Sequence, residues 1–159
     1  HTYSHLYGIK TIGLRFFTVY GPWGRPDMAY YSFSKAIKNK KKITVFNNGK
    51  LERDFTYIDD VVDAIYLLLN SSHSNKKNHS ILNIGNNKPE QIMDFIKILE
   101  KKLNQKAILE FSSMQKGDVF RTYADITEIN KIIDFKPSYS LEDGLSNFFR
   151  WFKEYEHSK

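Results

Sequence analysis

With 159 residues, 41% of them hydrophobic and 26% charged, the chain is long enough for one core and has the balance of an ordinary globular domain. It contains no cysteine, which excludes disulfides, thiolate catalysis and cysteine zinc sites and is compatible with a reducing cytoplasm. A net charge of +6 suits nucleic acid, anionic lipid or small anionic ligands, but the lysines fall mostly in Asn/Lys runs at 38–42 and 74–78, which solvated loops and helix ends explain without a partner.

No apolar run approaches the roughly 20 residues that span a bilayer, and no secretory leader is recognisable. A cytoplasmic location without membrane contact is therefore expected. Aromatic residues reach 15%, with 12 Phe and 10 Tyr, which points to a core and a pocket built from rings. The chain opens on His1 in what reads as the end of a helix, so a single unit belonging to a longer protein is expected.

Residues 1–7 read as helix, closed by Gly8. Lys10 to Phe17 is a near-continuous apolar run rich in β-branched and aromatic residues, the pattern of a strand buried on both faces of a parallel sheet. The stretch from Thr18 to Asp27 carries Gly21, Pro22, Gly24 and Pro26 and is expected to be irregular. A helix follows from about Met28 to Asn39, then a short strand at Ile43–Phe46 and a turn at Asn47-Asn48-Gly49. Phe55–Ile58 is extended. Asp59 and Asp60 open a helix through Leu69, with Asp59 as its cap and Val61, Val62, Ile65, Leu68 and Leu69 at helical spacing.

A polar loop at 70–79 precedes a second buried-type strand, Ser80–Ile84, and Gly85-Asn86-Asn87 forms a turn. Pro89 suits a first helical turn, after which Ile92, Phe95, Ile96, Leu99 and Leu103 share a face. Residues 106–111 suit a strand. Asp125 and Glu128 have the spacing of a capping box. Ser140 caps a last helix whose inward face holds Leu141, Leu145, Phe148, Phe149 and Phe152. The alternation of strands and helices gives an α/β class, and the two buried-type strands want sheet neighbours.

Several polar residues stand where ligands bind. Thr18 follows a strand and opens the Gly/Pro loop, at the strand end where α/β proteins hold ligands, although a threonine there can equally bond its own turn. Arg25 is either an exposed loop arginine or a fork onto a carboxylate. Arg53 suits a pyrophosphate, or else an ion pair with Glu52, Asp54 or another carboxylate, while Asp54, Tyr57 and Asp59 are expected to hold the local fold. The Phe46 ring and the Asn47 main chain could flank a planar base, although core packing is a commoner fate for Phe. Asp118, in a Gly117-bearing loop with Gln115, could accept from ribose hydroxyls or stabilise a turn, and Arg121 is a second phosphate candidate. The five histidines show no metal-ligand spacing, and no Ser-His-Asp set has a supporting turn.

The segments LRFFTVYGPWGRPDM, RDFTYIDDVVDAI, LNIGNN, MQKGDVFRTYADI and SLEDGLSNFFRWF, taken in order, cover nearly the whole chain. Together they resemble the carboxyl-terminal half of the extended short-chain dehydrogenase/reductase family of NAD-dependent epimerases and dehydratases, and most closely the UDP-glucuronate 4-epimerases. The resemblance implies the carboxyl-terminal portion of a Rossmann-type fold: its last sheet strands plus a small α/β substrate-binding region. It implies Thr18 and Arg25 beside a sugar carboxylate, Arg53 on the UDP phosphates, Phe46 and Asn47 at uracil, and Gln115 and Asp118 at the nucleotide. Phe17 and Tyr20 would border the nicotinamide of NAD.

Lys116 stands where relatives usually have Pro, which loosens that loop. Relatives carry a Gly-rich NAD fingerprint and a Tyr-x-x-x-Lys catalytic pair upstream, and neither segment is present. Tyr31 and Lys35 share that spacing but fall in the wrong place in family order. The implied whole enzyme is a homodimer that oxidises and re-reduces C4 of UDP-glucuronate or UDP-galacturonate through NAD, with no nucleic acid partner. This chain would supply UDP-sugar binding and be inactive alone. Another UDP-sugar epimerase, dehydratase or decarboxylase, or a non-catalytic UDP-sugar-binding module, remains open.

Overall fold

The computed structural model describes residues 1–71 and 78–158. The polar loop expected at 70–79, with its lysine run and His73, lies mostly outside the described residues. Helix α1, Thr2–Tyr7, ends at Gly8 in the left-handed conformation. Strand β1, Thr11–Phe16, is followed after Phe17 by β2, Thr18–Tyr20, then α2, Ala29–Lys38, and β3, Lys42–Val45. A single 3-10 turn, Phe46–Gly49, leads to β4, Glu52–Tyr57, and α3, Ile58–Asn70. Then come β5, His79–Ile84; β6, Pro89–Gln91; α4, Ile92–Leu103; β7, Ile108–Phe111; α5, Thr127–Asn130; and α6, Leu141–His157.

The strands form three small sheets. β1 pairs with β5 in parallel, with Thr11 opposite His79 and Phe16 opposite Ile84. β4 is central in the second sheet, parallel to β2 and antiparallel to β6. β3 pairs in parallel with β7.

Two cores result. The larger joins α2, α4 and α6 to β3 and the face of β2 and β4 that carries Tyr20, Phe55 and Tyr57. Phe148 is fully buried and meets Tyr30 edge-on at 5.1 Å, while Phe95 stacks on Phe55 at 4.8 Å. Each such ring contributes about 1.5–3 kcal/mol through burial, with a further gain from ring geometry. The smaller core packs Val61, Ala64 and Leu68 of α3 and Ile129 near α5 against Leu82 and Ile84 of β5. Among the described residues no helix is long and apolar enough to cross a membrane.

Several expectations are corrected. β1 is not buried on both faces: Phe16 is 49% exposed, and among the described residues β5 is its one strand neighbour. Thr18–Tyr20 is strand rather than loop. These three residues precede the first Gly/Pro pair, and their main chain pairs with Phe55–Tyr57. Pro89 starts an edge strand opposite Asp54, a place that needs no N–H donor, and α4 begins three residues later. α3 begins at Ile58 with Tyr57 at its cap position, so Asp59 lies inside the first turn. Val62 and Leu69 face outward from α3. Asp125 accepts from the Thr127 N–H at 2.9 Å, but the cap position of α5 is Ile126. Ser140 caps α6 as expected, accepting from the Asp143 N–H at 3.1 Å.

Candidate functional site

The site is organised by β2 and β4. Their register sets Thr18 beside Phe55, and paired residues of parallel strands share a face. Alternation along β4 turns Arg53 to that same face, roughly 8 Å from Thr18 between Cα atoms. The intervening residue, Asp54, points the other way and is fully buried. Its carboxyl accepts from the N–H groups of Asn86 at 2.7 Å and Ala124 at 3.0 Å and from the Thr56 hydroxyl. One side chain thus ties the turn after β5 and the segment after β7 to the central strand.

That segment brings Asp118 to Arg53. Glu52 donates its N–H to Phe120 O at 3.0 Å and accepts from the Thr122 N–H, so residues 120–122 run beside β4. Arg53 Nη2 meets Asp118 Oδ1 at 2.7 Å, and Nη1 donates to the carbonyls of Glu52 and Phe120. The Arg53 side chain is only 17% exposed, so its guanidinium is held in one orientation by Asp118 and the two carbonyls. Arg121 pairs with Glu52 at 3.1 Å and lies over the Tyr123 ring.

Asp118 sits at the end of a turn in which its N–H donates to Gln115 O. Gly117 takes φ +85°, the third position of such a turn, and Lys116 takes the second, where proline is common. Gln115 itself is exposed. The Phe46–Gly49 turn joins the same edge: Asn48 donates to Ser112 O, and Ser112 to Val45 O. Phe46 and Asn47 are half-buried there, with Asn47 and Asn48 both left-handed, a conformation asparagine tolerates well. The structure therefore brings Asp118 onto Arg53, while Phe46 and Asn47 are joined to the chain that leads to Gln115 through Ser112.

Arg25 stands apart from that edge. It lies in the loop beyond β2, 74% exposed, and forks onto Asp27 through Nε–Oδ1 at 3.1 Å and Nη2–Oδ2 at 2.7 Å. The hydrogen bond from Arg25 holds the Asp27 carboxyl below its ordinary range, and Asp27 in turn raises Arg25. Among the described residues no hydrogen bond or ion pair links Arg25 to Thr18 or Arg53.

The loop borders an open cleft of about 380 Å³, lined by Val19 to Gly24 on one side and Tyr30, Ile58 and Asp59 on the other. This cleft sits at the carboxyl ends of β2 and β4, the usual ligand side of parallel strands. Arg53 is roughly 15 Å away along β4. An elongated ligand spans that distance and a compact one does not.

Tyr20 is a correction. Its ring is 1% exposed in the larger core, its hydroxyl donates to Ser140 O at 3.3 Å, and burial pushes its pKa up. The ring packs among Tyr30, Phe55 and Tyr57 rather than standing free for a cofactor. Phe17 is half-buried between β1 and β2, donates to Ile84 O at 3.2 Å, and lies against Gly85. A dinucleotide site needs a glycine-rich turn from a strand into a helix. Here β1 runs through Phe17 into β2, and β5 runs through a turn into β6, so this chain's described residues do not form that cradle. Tyr31 is buried and bonds Glu156, which removes it as half of a catalytic pair with Lys35. No group of three His, Cys, Asp or Glu among the described residues is placed to hold a metal ion.

Sequence reading missed the carbonyls that fix Arg53 and the seat of Trp23; it expected Asp54 to hold the local fold, and the structure supplies its partners in Asn86 and Ala124. The 23rd residue takes φ +62°, and its ring lies 5.4 Å from Trp151 and 5.9 Å from Tyr155 of α6.

The fold and the candidate site define an α/β unit with an open cleft at the carboxyl ends of a pair of parallel strands and two arginine–aspartate pairs beside them. The model of the NAD dependent epimerase/dehydratase family matches residues 1–85. The chain belongs to that family. It is 46% identical to Protein CapI of Staphylococcus aureus over 98% of this chain and 51% of that protein. It is 42% identical to UDP-glucuronate 4-epimerase 4 of Arabidopsis thaliana, over 98% of this chain and 38% of the relative. The UDP-glucuronic acid 4-epimerase of Bacillus cereus, solved with UDP-glucuronic acid and NAD, superposes with a TM-score of 0.85 at 36% identity, over 98% of this chain and 49% of that one. The chain thus spans about half the length of the relatives it matches.

Proposed function

We propose that this chain is the substrate-gripping half of a UDP-glucuronate 4-epimerase. Arg53, held by Asp118 and two carbonyls, takes the diphosphate. Asp118 and Gln115 face the ribose side, Phe46 and Asn47 the uracil, and Thr18 and Arg25 the sugar carboxylate. NAD would supply oxidation and re-reduction at C4. This chain's own part is to orient the sugar and balance its charge. The complete gene product is expected to be a cytoplasmic homodimer, which light scattering would test.

One observation carries the choice of an acid sugar. One residue beyond Gly24 of the cleft lining, Arg25 holds the Asp27 carboxylate in a planar two-point fork, the geometry a uronate offers and a neutral hexose lacks. The test compares UDP-glucuronate with UDP-glucose binding to the complete gene product and to its Arg25→Ala variant. The variant should lose several-fold preference for the acid sugar and keep its UDP affinity. An unchanged preference would move the reading to another UDP-sugar epimerase, dehydratase or decarboxylase. Binding without any turnover by the complete product would leave a UDP-sugar-binding module. The 159-residue chain alone, with NAD and UDP-glucuronate, should show no turnover.

A further inference from the structure

Trp23 has a backbone conformation that its own side chain disfavours. A bulky residue at φ +62° is an outlier that neighbours must hold in place. Two rings of the last helix do so. Trp151 and Tyr155 stack on one another at 4.9 Å, and Trp23 tilts onto this pair while remaining 78% exposed. The ring is laid on a shelf, not inserted into the core.

The next residue fixes the turn from the other side. A β-carbon on Gly24 would overlap the Tyr30 hydroxyl, so the main chain passes flat against α2. Arg25 follows at once, and its carbonyl accepts from the Met28 N–H at 3.2 Å. The main-chain course into Arg25 is therefore held by contacts on Trp23 and Gly24, one of them provided by α6, while its side chain forks onto Asp27.

We propose that Trp23 is a positioning residue: its seat on Trp151 and Tyr155 holds the left-handed turn that aims Arg25 at a ligand carboxylate. The inference rests on the proposed role of Arg25 in acid-sugar recognition. It makes α6, more than 120 residues downstream of the loop, a determinant of sugar selectivity without touching the sugar. When the seat is lost, the backbone at residue 23 relaxes out of the left-handed region and the fork points elsewhere.

The test measures KM for UDP-glucuronate and the inhibition constant of UDP-glucose on the complete gene product. The variants are Trp23→Ala, Trp23→Gly, Trp23→Phe and Trp151→Ala. The alanine variants and Trp23→Gly should each raise KM for the acid sugar roughly tenfold, as small misplacements do, with kcat little changed. UDP-glucose binding should stay within about twofold, because Arg53 and Asp118 are untouched. Trp23→Phe, which keeps a ring, should recover much of the loss. Full retention by Trp23→Gly would overturn the proposal, because glycine accepts the turn without any seat. Equal losses for acid and neutral ligands would overturn it too, by reducing Trp23 to general stability. If Arg25→Ala leaves acid preference intact, the reading of the loop fails and this inference with it. If Arg25→Ala removes that preference and the tryptophan variants do not, only this inference fails.

Discussion

Arg53–Asp118 and Arg25–Asp27 share a closest N–O distance of 2.7 Å and little else. The first joins residues 65 positions apart, is mostly buried, and is braced by two main-chain carbonyls. The second joins residues two apart in an exposed loop. Ion pairs at the surface contribute little to stability, because water screens them and two side chains must be ordered. A braced, partly buried guanidinium is different: its orientation costs nothing further when a ligand arrives. On the proposed function, the comparison separates a fixed grip for the part common to every nucleoside diphosphate sugar from an adjustable grip for the part that varies.

The largest effect that would break this contrast comes from the strand beneath the fixed grip. Replacing Asp54 with alanine leaves the N–H groups of Asn86 and Ala124 without their partner in a buried place. A loss of about 2–4 kcal/mol is expected. Thermal unfolding should show a midpoint several degrees lower, with UDP binding weakened alongside. A midpoint close to that of the parent would mean that Asp54 does not hold the segment carrying Asp118.

Arg53→Lys comes next. A point charge on a flexible stem cannot reach two carbonyls, Asp118 and a phosphate together. UDP affinity should fall by roughly 10-fold or more, equivalent to about 1.5–3 kcal/mol, by calorimetry. Preference between acid and neutral sugars should not move, because both carry the same diphosphate. A shift in that preference would erase the division between the two grips.

Lys116→Pro would sharpen the fixed side. Lys116 occupies the second position of the turn that presents Asp118, and its N–H has no hydrogen-bond partner among the described residues. Proline there should raise stability by about 0.4–1 kcal/mol through the unfolded chain. A lowered unfolding midpoint would show that the turn needs a φ that proline lacks.

The smallest effect is the titration of the adjustable pair. Asp27 is held below its ordinary value by its hydrogen bond from Arg25. A depressed carboxyl contributes its stability above the unfolded value and loses it as pH falls through the folded one. The pair is fully exposed, so unfolding should hardly register this change. Carbon NMR should place the Asp27 midpoint below the ordinary aspartate value in the parent and return it to that value in Arg25→Ala. An unshifted midpoint in the parent would mean the fork is not populated in solution.

Much of the fold was legible because it follows from local patterns. The inward face of α6, its Ser140 cap, the left-handed Gly8 and the apolar face of α4 depend on spacing and on single-residue conformational preferences. Thr18–Tyr20 and Pro89–Gln91 were misread for one shared reason. Each is three residues long and becomes a strand only because β4 offers it a partner. No local pattern carries that information. The site divides the same way. Arg53 announced itself as a cation for an anionic ligand, but several carboxylates competed as its partner, and Asp118, 65 positions away, was not singled out.

The order of apolar, glycine and proline residues by itself determined the α/β class, the helix faces and the family, because these depend on short-range sterics and on which side chains leave water. Tertiary structure alone decided which distant N–H groups Asp54 holds, that Tyr20 belongs to the core, and that Trp23 rests on the last helix. Those three roles depend on which distant segments meet, and only the packed chain, with every buried polar group requiring a partner, fixes that choice.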